Sequence, residues 1–305
     1  MRIFRELELG EATDPSILEQ DSRVHANLAS VRAIVACASA RGGVGKTALL
    51  VNIAAALALA GRKIGIVDAD LNSPGIAAML GMRLGRRAVG SDQIEPAAGP
   101  LGLRVVDSEV LPDGESPVSF TDFDESAAVA QNGTRPNEFG YLVAMRRLLG
   151  QVRFGPLDLI LVDLASGIES IYRLLKIVPR AKVLLASHSS ELSARATRAA
   201  IGIASRHPDA VIGVVENMAG FACDGCHRVR PLMPYGAVAR HAREAGAPLM
   251  ERLPFDPRFA ETCDRGVIFV REYPQTPLAK QLVALAQAVG KAVDTRPPVE
   301  AAATS

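Results

Sequence analysis

The run Ser39-Ala40-Arg41-Gly42-Gly43-Val44-Gly45-Lys46-Thr47 sets three glycines ahead of a lysine and a threonine, an order suited to binding a nucleoside triphosphate. Glycines let backbone N–H groups turn inward around phosphate oxygens, and a following helix adds partial positive charge at its N-terminus. Lys46 brings a mobile cation to the terminal phosphates, and Thr47 is placed to hold Mg2+ through its hydroxyl. The match to G-x-x-x-x-G-K-S/T is short by one position, because Ala40 stands where the first glycine would be. Two carboxylate stations suit the same ligand. Asp163 ends an apolar run and Gly167 follows it by four residues, the D-x-x-x-G spacing of a γ-phosphate switch, so Asp163 is expected to reach Mg2+ or its water shell. Asp68-Ala69-Asp70 ends another apolar run; Asp70 is expected to orient or deprotonate an attacking water, and Asp68 to support its loop.

A second chemistry stands at Cys223-Asp224-Gly225-Cys226, where two thiolates can bite one metal and Gly225 permits the turn between them. A closed zinc site or a [4Fe–4S] cluster takes four such ligands. Neither Cys37 nor Cys263 has a partner at ligand spacing, so a two-fold dimer would supply the missing pair. A thioredoxin-like redox pair is disfavoured, because the motif comes late instead of opening the first helix of a βαβ unit. His227 beside the pair is either a further ligand or an exposed loop histidine.

These residues need strands that end beside one another. Apolar runs at 33–39, 63–68, 103–106, 158–162, 182–186 and 211–215 read as strands, with helical patterns at 16–29, 48–60 and 276–293. Alternation of this kind predicts an α/β fold with a doubly wound, mostly parallel sheet. Residues 1–30 read as an N-terminal extension, 31–293 as one P-loop ATPase domain with a surface excursion at 111–140, and 294–305 as a disordered tail. Composition agrees with a buried parallel sheet: 49% of the 305 residues are hydrophobic, only 4% are aromatic and none is tryptophan. A net charge of +1 offers nothing to nucleic acid, and no stretch reaches membrane-span length, so the sequence points to a cytoplasmic protein with no nucleic-acid or membrane partner.

The chain resembles the Mrp/NBP35 group of P-loop ATPases, of the deviant Walker A type, within the MinD, ParA and nitrogenase-iron-protein class. The resemblance rests on Gly42-Gly43-Val44-Gly45-Lys46-Thr47, on Asp68-Ala69-Asp70, on Ile94-Glu95-Pro96 with Gly99-Pro100-Leu101-Gly102-Leu103, and on Gly213-Val214-Val215-Glu216-Asn217-Met218 leading into the cysteine pair. Pro254-Phe255-Asp256-Pro257-Arg258 and Cys263-Asp264-Arg265-Gly266 are similar to the group's closing segment. It implies an ATP-dependent homodimer in which Cys223 and Cys226 of both subunits bridge one [4Fe–4S] cluster for delivery to apoproteins, and in which Asn217 contacts the adenine. Arg41 stands where the group carries a lysine that reaches the partner's phosphates, and arginine is a rigid fork in place of an ammonium. Leu164-Ala165-Ser166-Gly167-Ile168-Glu169 departs from the usual double proline and Thr-Gly-Asp around the switch glycine, and Ser187-His188-Ser189-Ser190 replaces a Pro-Gln. Two other readings stay open: a MinD/ParA-like positioning ATPase, whose membrane-seeking helix or basic face is not visible, and a nucleotide-switch regulator whose cysteines hold structural zinc or stay vacant.

Overall fold

The computed structural model describes residues 15–71, 73–83, 88–89, 93–106, 136–222, 228–233 and 236–294. The cysteine pair, His227, most of the expected excursion and the tail from 295 lie outside the described residues. Eight strands form one sheet: β1 (Val31–Ala38), β2 (Ile64–Ala69), β3 (Ala97–Ala98), β4 (Arg104–Val106), β5 (Leu157–Leu164), β6 (Lys182–His188), β7 (Val211–Asn217) and β8 (Leu249–Arg252). Their order across the sheet is β8-β7-β6-β1-β5-β2-β4-β3, and every pairing is parallel except that of the short edge strand β3 with β4.

The described residues hold ten α-helices beside them: α1 (Pro15–Leu28), α2 (Lys46–Leu59), α3 (Ile76–Met79), α4 (Pro136–Gln151), α5 (Ile168–Ile177), α6 (Glu191–Ala204), α7 (Ala237–Glu244), α8 (Pro257–Asp264), α9 (Phe269–Glu272) and α10 (Pro277–Asp294). The two-residue period of the strands divides their side chains between two cores. On β1, Ile34, Ala36 and Ala38 join one core with Met145 and Leu148 of α4, while Val35 and Cys37 join the other with Leu49, Leu50 and Ile53 of α2. Helices therefore cover both faces, which is why the strands read as unbroken apolar runs.

Helix α2 is apolar around its whole circumference, and its residues from Ala48 to Leu57 are buried. Such a helix must be covered on both sides. The sheet covers one side, and α10 covers the other with Leu278, Leu282, Leu285 and Val289. Arg62, just after α2, pairs with Asp294 at the end of α10. Helix α1, expected outside the ATPase body, packs on α4 and sends Val24 and Leu28 into the core. The last residues of the expected excursion, 136–140, are helical, because Pro136 opens α4 with its φ already set for a helix. Strands β5, β6 and β7 run two residues further than their apolar runs suggest, since Asp163, Ser187, His188, Glu216 and Asn217 continue the ladders at the carboxyl edge of the sheet.

Leu282 is fully buried against α2, so Leu282→Ala should cost roughly 2–5 kcal/mol in urea unfolding, while the more exposed neighbour Val283→Ala should stay within about 0.5 kcal/mol of the parent.

Candidate functional site

All the carboxylates singled out in the sequence meet at the carboxyl edge of β1, β2 and β5. Strand β1 ends at Ala38 and the chain turns through the glycine loop into α2, which starts at Lys46 behind Gly45 in the left-handed region (φ 80°) with no side-chain cap. The first N–H groups of a buried helix are thus left to an outside acceptor, the arrangement that receives phosphate. A Cβ at Gly45 would come within 2.6 Å of Asn217 Nδ2, so this position needs glycine for both conformation and space. Gly43 also has a positive φ (77°), whereas Ala40 does not, so the missing first glycine costs the loop nothing in backbone strain. Ala40 instead packs against the core below β1.

Lys46 is buried and its Nζ lies 2.6 Å from Asp163 Oδ1, 3.4 Å from Thr47 Oγ1 and 3.9 Å from Asp70 Oδ2. Thr47 Oγ1 donates to Asp163 Oδ2 at 2.6 Å. Asp163 is thus shared between the lysine and the threonine. Its register partner across β2 is Asp68, whose carboxylate accepts the N–H groups of Asp70, Gly75 and Ile76. Asp68 therefore ties the loop after β2 to the start of α3, and Asp70 stands half-exposed beside Lys46.

Three carboxylates face one ammonium here. Burial, and then the charge of Asp163, push Asp68 up to about 7. Burial likewise raises Asp163 against the pull of Lys46 and Thr47, and raises Asp70 against Lys46. A site so rich in buried anion would repel a bare triphosphate. The hydroxyl of Thr47 beside the Asp163 carboxylate, with Asp70 open to solvent, is the hard oxygen donor set that suits a cation keeping part of its water shell, as Mg2+ does. The buried thiol of Cys37, pushed up to about 12 by burial and then by Asp163, leans on the Lys46 carbonyl and stays protonated.

Gly167 closes the site from the β5 side. Its φ of 123° suits only glycine, and its N–H donates to Ser39 O at 2.8 Å, while Ser166 Oγ lies 3.2 Å from Ser39 Oγ. The loop after β5 is therefore latched to the start of the glycine loop. Val44 is buried, Gly42 and Gly43 are exposed, and Arg41 is exposed before them. Asn217, for which the resemblance implies an adenine contact, is buried at the end of β7 and donates Nδ2 to Val44 O at 2.9 Å, clamping the loop. Beside it, Glu216 is buried and accepts from Arg252 Nε on β8 at 2.8 Å. Among the described residues no three His, Cys, Asp or Glu side chains form a group able to hold a metal ion by themselves.

The same glycine-loop frame appears in known proteins. The model of the NUBPL iron-transfer P-loop NTPases matches residues 30–290. This chain belongs to that family. A protein of Saccharolobus solfataricus named iron-sulfur cluster carrier protein is 30% identical to it over 90% of this chain and 88% of the relative. The human cytosolic Fe-S cluster assembly factor NUBP2 is also 30% identical, over 86% of this chain and 94% of that protein. Among solved structures, the nucleotide-binding protein of Archaeoglobus fulgidus in complex with ADP superimposes with a TM-score of 0.68 at 26% identity, covering 86% of this chain and 96% of that one. The cell division ATPase MinD of Pyrococcus furiosus gives 0.55 at 20% identity over 85% of this chain and 98% of its own, a likeness of fold. The doubly wound sheet expected from the sequence is the fold of this NTPase class.

Serine 39 and Tyr141 were missed as site residues, although both touch the site's loops. Ser39 lay inside the motif but its contribution is a backbone carbonyl, which residue type does not advertise. Tyr141 donates its hydroxyl to Ala69 O at 3.0 Å from a helix 72 positions away.

In the ligand-free protein, Gly45→Ala should lower the thermal midpoint by several degrees, from a left-handed penalty of about 1–2 kcal/mol plus the Asn217 clash. Gly42→Ala, whose new Cβ would meet nothing nearer than Ser166 Oγ at 3.9 Å, should leave it unchanged. Asp68 offers a pH test. Its carboxyl holds a proton up to about 7 in the folded protein against an ordinary 3.8, so across that window the folded state binds more proton than the unfolded state. The stability it contributes is therefore lost as pH rises. Unfolding free energy plotted between about pH 4 and 7 should slope less steeply downward in Asp68→Asn than in the parent.

Proposed function

We propose that the protein is an ATP-dependent carrier of an iron-sulfur cluster, working as a homodimer. The observation that carries this reading is the path from the glycine loop to the cysteines. Asn217 clamps Val44 from the end of β7; Met218 then turns the chain through a left-handed conformation (φ 55°). Residues Gly220–Ala222 pair antiparallel with Val229–Pro231, and Cys223 and Cys226 fall between these two strands in the sequence. A change in the glycine loop is thereby delivered to the base of the cysteine hairpin through a few residues of one strand. The names of the archaeal and human relatives support the cargo assignment, and the ADP complex of the Archaeoglobus protein supports the nucleotide.

In this reading the backbone N–H groups of Gly42, Gly43, Val44 and Gly45 and the N-terminus of α2 receive the phosphates. Lys46 exchanges its bond to Asp163 for one to the terminal phosphates. Thr47 and Asp163 hold Mg2+, which neutralises phosphate charge. Asp70, held beside Lys46 by the Asp68 loop, orients the attacking water. The Gly167 N–H, now given to Ser39 O, is the donor released to a γ-phosphate oxygen. Arg41, exposed at the front of the loop, reaches the partner subunit's phosphates. Asn217 contacts the adenine when the loop is filled. Cys223 and Cys226 supply two thiolates from each subunit to one [4Fe–4S] cluster, the cargo handed to apoprotein clients. The name of the human relative supports a cytoplasmic place for this work.

Anaerobic reconstitution with iron and sulfide tests the cargo: about two irons and two sulfides per chain, lost in Cys223→Ser and in Cys226→Ser, is the expected result. Stoichiometric zinc without sulfide would overturn the reading in favour of a nucleotide switch with a structural metal. Asp70→Asn should slow ATP turnover by roughly 10²- to 10⁴-fold while ADP affinity, measured by calorimetry, is retained.

A further inference from the structure

Ser166 stands exposed on the loop after β5, one residue before Gly167, and carries a hydroxyl that the proposed reaction leaves idle. That hydroxyl lies 3.2 Å from Ser39 Oγ at the start of the glycine loop. It also faces Gly42, 3.9 Å from the point that a Cβ on that residue would occupy. The two serines differ in their surroundings: Ser39 is fully buried, whereas Ser166 is open to solvent.

The bond between them is the weaker half of a two-point latch. The Gly167 N–H donates to Ser39 O at 2.8 Å, an ordinary length for an amide. The hydroxyl pair at 3.2 Å is longer than the roughly 2.5–3.0 Å that such pairs prefer. Rotation about one side-chain bond redirects Ser166, and a charged phosphate oxygen is a better acceptor than a neutral hydroxyl. The backbone around it is held more firmly. Ser170 Oγ lies 2.6 Å from Ala165 O and 2.9 Å from Gly167 O, so the loop keeps its shape while the Ser166 side chain turns.

We propose that Ser166 is a further γ-phosphate ligand: its hydroxyl leaves Ser39 and donates to a terminal oxygen of ATP beside the Gly167 amide, so that one loop reads the third phosphate with two donors. This inference deepens the reading that the glycine loop binds ATP, and rests on it. A donor without charge suits the place, because a cation there would be drawn to Asp163 and Asp70 before any phosphate arrived. ADP has no γ-phosphate, so in its complex the hydroxyl stays with Ser39. The contact is one of recognition, in which the serine keeps its proton.

Calorimetry with ADP and with a nonhydrolysable ATP analogue, each with Mg2+, gives the ratio of the two affinities. Ser166→Ala should keep ADP affinity within about twofold and weaken the analogue by about tenfold, the effect of losing a hydrogen bond to a charged acceptor. Position 166 is exposed, so this variant should melt close to the parent. Ser166→Thr retains a hydroxyl and should restore most of the difference. Ser39→Ala removes only the partner that holds the hydroxyl before ATP arrives, and should shift the ratio toward the analogue. A latch with a structural role alone would respond alike to the loss of either serine. A wild-type ratio in Ser166→Ala, or equal losses in Ser166→Ala and Ser39→Ala, would overturn the proposal. A wild-type protein that binds ADP but not the analogue would remove the ATP reading and this one with it, whereas failure to assemble a cluster would leave this one standing.

Discussion

Asp163 is buried at the centre of the sheet with a second buried carboxylate, Asp68, directly across the ladder and Asp70 just beyond. Among the described residues Lys46 is the cation that stands among them, and the 2.6 Å contact between Lys46 and Asp163 is what makes the site tolerable. Breaking a buried pair by withdrawing one partner costs roughly 3–5 kcal/mol, because the other charge is left uncompensated. The lysine can therefore leave only when a phosphate takes it and something cationic takes its place. On the proposed reading, nucleotide and metal would be taken up together, because the same electrostatic balance disfavours either half of that exchange alone. The three backbone bonds to Asp68, the Thr47 contact and the half-exposure of Asp70 all serve to keep this balance within reach of solvent.

Much of this was legible in the residues. Lys46, Thr47 and Asp163 follow from local grammar: a strand, a glycine turn and a helix must place the lysine at the helix N-terminus, and a second strand ending in Asp must lie beside it in a parallel sheet. Helix α10 was legible because its apolar residues recur at helical spacing. Strand ends were underestimated at β5, β6 and β7, where polar residues continue the ladder; hydrophobic runs mark where a strand is buried, and hydrogen bonding carries it further. Asn217 carried a recognisable motif, but its donation to Val44 is a contact across 173 positions that no spacing predicts. Tyr141 was not legible at all. It sits after a stretch without periodicity, and its hydroxyl meets the Ala69 carbonyl across 72 positions, a contact that no spacing predicts.

The loops around the site are held by unequal means. The loop after β2 is fixed by a carboxylate that accepts three backbone donors, and the loop after β5 by the Gly167 N–H bond to Ser39 O, the Ser39–Ser166 hydroxyl pair and the Ser170 hydroxyl against the Ala165 and Gly167 carbonyls. A hydrogen bond between neutral groups contributes about 1 kcal/mol net. On the proposed reading, the Gly167 amide is the donor that a phosphate oxygen would recruit, with the loop held by Asp68 as the fixed wall. On the proposed reading, the altered residues around Gly167 would leave the means of switching in place, since its moving part is a backbone amide whose availability depends on the glycine.

Helix α10 has a consequence for how the chain comes into being. The apolar flank of α2 that it covers lies far ahead of it in the chain, so the flank is made long before its cover. Until residue 294 emerges, the helix that opens the phosphate site presents an oily stripe with nothing to shield it. A chain truncated before α10 is therefore expected to aggregate instead of yielding a nucleotide-binding fragment.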